Sequence, residues 1–333
     1  MSAAGVRTLF GMPRVDLRCS GLHEVVDMHA AAAPAALAAR DCQGVWSYAE
    51  LRDASLRAAA HLHARGLTGA APPCWEEGPK APRPLLTIVA RGREWYALCI
   101  AAWRLGVPVA AASEDLPQGP AAAERAACLA RELLPAAAVV EAAPEAPLAL
   151  PDDCTVLPVA ELRAAMSAPA ASPSALPPSL GAAPESALCY AYTGGSTRHS
   201  RCAIITHGMA LWEMAHYSDV LGGNVGRSDT VLQYSSAYWA AAVFGQLDVA
   251  LAHGACVAFS RASVDPGDIA VACEEFGITV LGVVPSQLRG AWPGGPQTKP
   301  PALRVVISWA EGLPAELARR WSARVVLYEL LIA

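Results

Sequence analysis

Two periods alternate along most of the chain. Short continuous apolar runs of strand length are separated by longer stretches whose apolar residues recur at helical spacing. Strands buried on both faces, as in parallel sheets, read as unbroken apolar segments. The runs "RPLLTIVA" (83–90), "VPVAAA" (107–112) and "AAAVV" (136–140) are of that kind. Between them lie "REWYALCIAAWRLG" (93–106), a helix ending at a glycine, and an Ala-rich helix over 121–134. Upstream, 21–40 reads as a helix broken near Pro34, and a short strand at 45–48 leads into a helix capped by Gly66. Leu51, Leu56, Ala59, Ala60 and Leu62 of that helix fall on one face.

Residues 142–186 change character, with Pro, Ala and Ser dominant. They read as a loop or linker holding one small strand at Cys154–Val156. Beyond it the alternation resumes. A helix over 208–220 precedes a strand over 230–236, a helix over 240–254 and a strand over 256–259. A helix over 265–277 then leads to a strand over 278–284, and a further helix and loop follow Pro285. A strand over 303–309, a helix over 314–321 and a last strand over 324–331 complete the series. Such alternation in both halves predicts an α/β fold of two layered αβα subdomains with mainly parallel sheets. The first covers about 21–141 and the second about 187–333, after an N-terminal extension over 1–20.

Composition narrows the function classes. The net charge of −5 offers no basic face for nucleic acid. No uncharged apolar run approaches the ~20 residues of a membrane-spanning helix. The ten cysteines are scattered without CxxC pairs or Cys/His clusters, so they read as small buried hydrophobes in a reducing compartment, and no metal site is predicted. A cytoplasmic protein is expected; Arg7, Arg14 and Arg18 against Asp16 give the first residues a weakly transit-like character.

The candidate chemistry lies in "CYAYTGGSTRHSRCAIITH" (189–207). Glycines after an apolar run let several backbone N–H groups curl onto one anion, hydroxyls add neutral donors, and an arginine supplies the countercharge. Thr193, Gly194, Gly195, Ser196, Thr197 and Arg201 provide these parts, although a plain polar turn would look similar. Neither a Walker loop nor a Rossmann fingerprint is present.

This stretch resembles the phosphate-binding signature of the adenylate-forming enzymes: acyl-CoA synthetases, luciferases and nonribosomal peptide synthetase adenylation domains. Other segments are similar in the same order. "VWSYAELRDASLRAAAHLHARGL", "LLTIVARGREWYALCIAAWRLGVPVAAASEDLP", "ITVLGVVPSQLRGAW" and "LRVVISWAEGLPAELARRW" each have a counterpart. The resemblance implies ATP with Mg²⁺ as cofactors. A small carboxylic acid would be activated as its acyl-adenylate, and CoA or a phosphopantetheinyl carrier domain would be the thiol acceptor. It also implies that Thr193 to Thr197 and Arg201 hold the ATP phosphates. Tyr238, Trp239, Trp309, Ala310 and Glu311 would line the adenine and acyl pocket, with His207 a possible helper. A structural hydrogen bond is the plainer role for His207, and core packing the plainer one for the aromatics.

The chain departs from the family pattern at several points. Arg198, Ser200 and Cys202 stand where the family has Gly, Pro and Gly. Trp309 and Ala310 replace paired glycines, so Trp309 is expected to narrow the pocket. No Asp occurs between Ser235 and Gln246 to pair with an α-ammonium, which suggests an acyl or aryl acid without an amine. The Thr-Glu segment and the subdomain bearing the family's catalytic Lys are expected beyond Ala333, so catalytic residues are not assigned. The isolated chain is expected to be weakly active or inactive, as part of a ligase or as a degenerate, non-catalytic module with weak or no nucleotide binding.

Overall fold

The computed structural model describes residues 19–69, 82–112, 120–141, 150–168, 182–193, 201–239, 243–260 and 265–330. Helix α1 (Leu22–Ala32) and strands β1 (Leu37–Asp41) and β2 (Gly44–Ser47) open the fold. Helix α2 (Tyr48–Ala64) starts at a full capping box: the Ser47 hydroxyl accepts from the Glu50 amide and the Glu50 carboxylate accepts from the Ser47 amide. Its buried face is Leu51, Ala54, Ser55, Ala58, Ala59 and Leu62, whereas Leu56 and Ala60 are only half-buried. The apolar face is thus rotated from the one predicted, because Ser55 is drawn inward by the Arg104 Nε donor at 3.0 Å.

Strands β3 (Leu85–Ile88), β4 (Val109–Ala111), β5 (Ala137–Val140) and β6 (Thr155–Pro158) are joined by helices α3 (Arg93–Arg104) and α4 (Pro120–Leu133). Helix α5 (Val159–Ser167) follows, then β7 (Ala187–Thr193) and β8 (Arg201–Thr206). Among the described residues these form one sheet in the order β6-β5-β3-β4-β7-β8, parallel except for the antiparallel pair β7–β8.

The second sheet is built from helix α6 (His207–Leu221), β9 (Thr230–Gln233), a π-helix (Val243–Leu247), α7 (Asp248–His253) and β10 (Cys256–Phe259). Helix α8 (Pro266–Glu275), β11 (Val280–Val283), α9 (Pro285–Ala291), β12 (Val305–Ser308), α10 (Ala315–Ser322) and β13 (Val326–Glu329) complete it. The order is β13-β12-β11-β9-β10-β1-β2, parallel except at β1–β2. The predicted two-sheet α/β architecture is therefore present. The predicted helix 21–40 is corrected to α1 plus β1, because Leu37–Asp41 finds edges on both β10 and β2. The Pro/Ala/Ser-rich segment also contains α5, whose Val159, Leu162 and Met166 are buried.

Helix α3 lies between the two sheets and is buried almost all round, from Trp95 to Arg104. Trp95 and Tyr96 meet Phe259 of β10 at ring separations of 6.2 and 5.7 Å. On the other side, Trp95 Nε1 donates to Thr87 Oγ1 at 3.2 Å and Trp103 Nε1 to the Leu188 carbonyl at 3.0 Å. The last charged residue of the helix, Arg104, is held by a two-point bond to the Asp27 carboxylate at 2.8 and 2.5 Å.

Asp229 gathers the N-terminal ends of β9, β11 and β12. Its carboxylate, 2% exposed, accepts from the Gly226 amide at 2.8 Å, Thr279 Oγ1 at 2.7 Å and the Arg304 guanidinium. Asp229→Ala strands these donors and should cost about 2–4 kcal/mol of stability. Urea unfolding checks this; a loss well under 1 kcal/mol would show that the cluster is not a structural anchor.

Candidate functional site

Parallel α/β sheets bind ligands outside the carboxyl ends of their strands, at the point where the chain reverses its direction of growth across the sheet. In the second sheet that point lies between β9 and β11. The chain passes from β9 to β10 on one side, then crosses to β11 on the other and continues to β12 and β13. The carboxyl ends here are Gln233–Ser235, Val283–Val284 and Ser308–Trp309.

One side chain joins two of these ends. Gln246, fully buried in the π-helix, accepts from the Ser235 amide at 3.3 Å. Its amide nitrogen faces Ser235 Oγ at 3.2 Å and the Gly282 carbonyl at 3.5 Å. Single π-helical turns are uncommon and concentrate at functional places in folds. This one carries Gly245 beside Gln246.

Trp309 follows β12 directly and is 3% exposed. Its indole lies on Gly282 of β11 and Gly245 of the π-helix. A Cβ on Gly282 would come within 1.7 Å of the ring's Cη2, and one on Gly245 within 2.9 Å. Ala310 has φ +63°, the left-handed conformation that favours glycine. The chain then emerges: Ala310, Glu311 and Gly312 form an exposed lip. Glu311 accepts from the Ser286 amide at 3.0 Å and the Ser286 hydroxyl at 2.7 Å, fixing the lip to the start of α9.

Tyr238 and Trp239 sit against β7. Tyr238 stacks on Tyr192 at 4.5 Å, Trp239 meets Tyr238 edge-on at 4.8 Å, and the Arg125 guanidinium lies over the Tyr238 ring at 4.6 Å. The Tyr192 amide donates to the Tyr238 carbonyl at 2.9 Å. These contacts bring the end of the first sheet to the segment after β9. The same junction is bridged by Arg91, 3% exposed, which donates to the Tyr234 carbonyl.

Thr193 ends β7 and Arg201 begins β8, and the two are paired across the antiparallel hairpin. Arg201 is exposed at its mouth. Gly194, Gly195, Ser196 and Thr197, with Arg198 and Ser200, lie outside the described residues.

His207 is fully buried, and its Nδ1 accepts from the Leu22 amide at 3.2 Å. Burial first, then His23, lowers its pKa to about 3, so it is a neutral imidazole. Its ring meets Trp103 edge-on at 6.1 Å. This geometry ties α1 to α3 and α6 and suits a structural role.

No sequence signal marked Asp248 as unusual. It starts α7, 1% exposed, and neither carboxyl oxygen has a hydrogen-bond partner. Burial first, and the Glu213 carboxyl second, push its pKa well above the usual carboxylate range; nearby amides of Asp248 and Val249 offset part of this. Burial also raises Glu213, to which Tyr217 donates at 2.9 Å.

Two clefts are present, one beside Asp41, Arg91 and Arg163 and one beside Arg65, Arg83 and Asp153. Neither is lined by a residue of the predicted site. Among the described residues no group of three or more His, Cys, Asp or Glu side chains could hold a metal ion. No described helix is long and apolar enough to cross a membrane.

These features define an α/β protein whose second sheet has its switch point between β9 and β11. The sequence matches the AMP-binding enzyme family over residues 26–331, and the chain belongs to that family. Enzymes of this family use ATP and Mg²⁺. The chain is 24% identical over 308 residues to the nonribosomal peptide synthetase GRA1 of Gibberella zeae, covering 92% of this chain and 4% of that protein. It is 29% identical over 165 residues to the peptide synthetase phqB of Penicillium fellutanum, covering 49% of this chain and 6% of that protein. The chain thus spans less than a tenth of these relatives. The N-terminal subdomain of Klebsiella oxytoca NpsA, solved with 3-hydroxybenzoyl-AMSN, has the same fold, with TM-score 0.74 and 16% identity over 95% of this chain and 73% of that one. VinN, solved with L-aspartate, superposes with TM-score 0.68 and 19% identity, covering 93% of this chain and 75% of that one.

Asp248 keeps its proton in the folded chain at pH values where the unfolded chain, with a carboxyl pKa near about 4, has released it. Stability from this group is full below about pH 4 and is lost as pH rises toward the folded pKa. Asp248→Asn should therefore lose less stability than the wild type between about pH 5 and about pH 8. Urea midpoints at both pH values measure it, and parallel losses would show that Asp248 does not titrate in this way.

Proposed function

We propose that the chain is the nucleotide- and acid-binding part of an adenylate-forming ligase. The observation that supports this best is the hairpin β7–β8, which closes the hydroxyl- and glycine-rich loop between Thr193 and Arg201 and presents an exposed guanidinium at its mouth. The loop amides from Thr193 to Thr197 would cradle the β- and γ-phosphates, and Arg201 would neutralise them. The lip Ala310–Glu311 would lie along the adenine. Bound ATP, with its Mg²⁺, supplies an electrophilic α-phosphorus. This chain's residues hold the triphosphate in line for a carboxylate and keep water from the crevice.

The acid reading follows from the segment between Ser235 and Gln246. It contains no Asp to pair with an α-ammonium, which supports an acyl or aryl acid without an amine. Transfer to CoA or to a phosphopantetheinyl carrier is the expected second step.

Trp309 favours a second reading, a module of the same fold with weak or no nucleotide binding, since its ring takes up space at the carboxyl ends of the strands. Calorimetry with Mg·ATP separates the two. The ligase reading expects saturable binding by the wild type and about 10- to 100-fold weaker binding by Arg201→Ala, the loss of one charged hydrogen-bonding group. No binding by the wild type would leave the module reading.

A further inference from the structure

We propose that the cleft at the amino ends of β5 and β6 is a binding site for a small organic anion, a monocarboxylate with a short apolar body. It lies at the opposite ends of the first sheet's strands from Thr193, which closes β7 at its carboxyl end. The proposal is therefore independent of the adenylation reading.

The two clefts differ in size. About 200 Å³ is open beside Arg65, Arg83 and Asp153, against about 10 Å³ beside Asp41, Arg91 and Arg163, which is room for roughly one water. Gly66 lines the larger cleft, and a Cβ built on it meets nothing within 4 Å. The floor is apolar, made by Leu67, Ala137 and Leu157, all buried.

The rim is polar, and its two guanidiniums differ. Arg83 is fixed in place: Nε donates to the Leu134 carbonyl at 2.7 Å, Nη2 to the Pro135 carbonyl at 2.9 Å, and its fork grips Asp153 at 2.6 and 2.8 Å. Arg65 donates only through Nη2, to Glu161 Oε2 at 2.5 Å. That pair is more than a third exposed on both sides, so it holds Arg65 weakly and the guanidinium can turn to a ligand at little cost. The Thr68 and Thr155 hydroxyls line the same cleft and have no hydrogen-bond partner among the described residues.

Charge sets the ligand class. Asp153 stands on the rim, Glu161 accompanies Arg65, and helix α2 ends at the cleft with its carbonyl pole. A dianion meets all three at close range. A single carboxylate needs only the edge of Arg65 and a threonine hydroxyl, and its carbon chain covers the apolar floor.

Calorimetry on the full chain tests this, with butyrate and benzoate as probes and inorganic phosphate as the dianion. At least one carboxylate should bind saturably, with Kd about 1 mM or tighter, and phosphate about 10-fold more weakly or not at all. Arg65→Gln should weaken carboxylate binding about 10-fold or more, and Thr155→Val about 3-fold or more. Arg201→Ala should leave it unchanged. Melting temperatures check that the variants fold; if Arg65→Gln does not, Thr155→Val decides.

No saturable uptake of either carboxylate overturns the proposal, as does phosphate binding as tight as theirs. Unchanged affinity in the folded variants of Arg65 and Thr155 also overturns it. Binding lost in Arg201→Ala but kept in Arg65→Gln assigns the acid to the adenylation site and removes the remote one. Carboxylate uptake that depends on Arg65, in a chain that does not bind Mg·ATP, sinks the adenylation reading and leaves the cleft standing.

Discussion

One helix is shared by two sheets, and the rest of the molecule is arranged around that fact. Helix α3 has almost no polar face, so it can exist only where apolar surface meets it from both sides. Phe259 of the second sheet supplies one side, and Thr87 and Leu188 of the first sheet supply the other. At ~25 cal/mol per Å² of apolar area removed from water, a helix carrying two tryptophans, a tyrosine, a leucine and an isoleucine is a large part of what holds the sheets together. The charge at its end is tolerated because Asp27 and Ser55 meet Arg104.

A junction between the sheets follows from that arrangement. With both sheets mostly parallel and packed on a common helix, the end of β7 meets the segment after β9. There the stacked pair Tyr192–Tyr238 and the Arg91 bond to the Tyr234 carbonyl bring the first sheet to the end of β9. Charged anchoring and irregular backbone are separated along the strands. Asp229 gathers the amino ends, where its buried carboxylate is fully met by donors. The carboxyl ends carry the π-helix, the left-handed Ala310 and the two close-approach glycines, features that cost stability.

Most of the strands were legible because parallel strands buried on both faces leave unbroken apolar runs, as at Leu85–Ile88 and Val280–Val283. Strand β1 was not, because "LAARD" is short and half charged; its strand character comes from the edges of β10 and β2, which no local pattern reveals. Helix α5 did leave a signal, Val159, Leu162 and Met166 at helical spacing, but it lay inside a Pro/Ala/Ser-rich segment and was absorbed by it. The rotated face of α2 depended on Ser55 finding a guanidinium from another helix. Of the candidate site, the bulk of the ring at position 309 could be read from the residue type. Its partners could not: Gly245 and Gly282 are far apart in sequence, and only the crossover from β10 to β11 places them under one ring. The π-helical turn and the buried Asp248 had no sequence signature at all.

The backbone of Ala310 has a consequence for how the shape at these strand ends can be changed. A residue in the left-handed well with a methyl group has little room to swing, and Glu311 pins the next residue to α9. The indole is thus mounted on a stiff bracket rather than a hinge. A different shape at these strand ends therefore calls for exchanging the side chain itself rather than moving the loop.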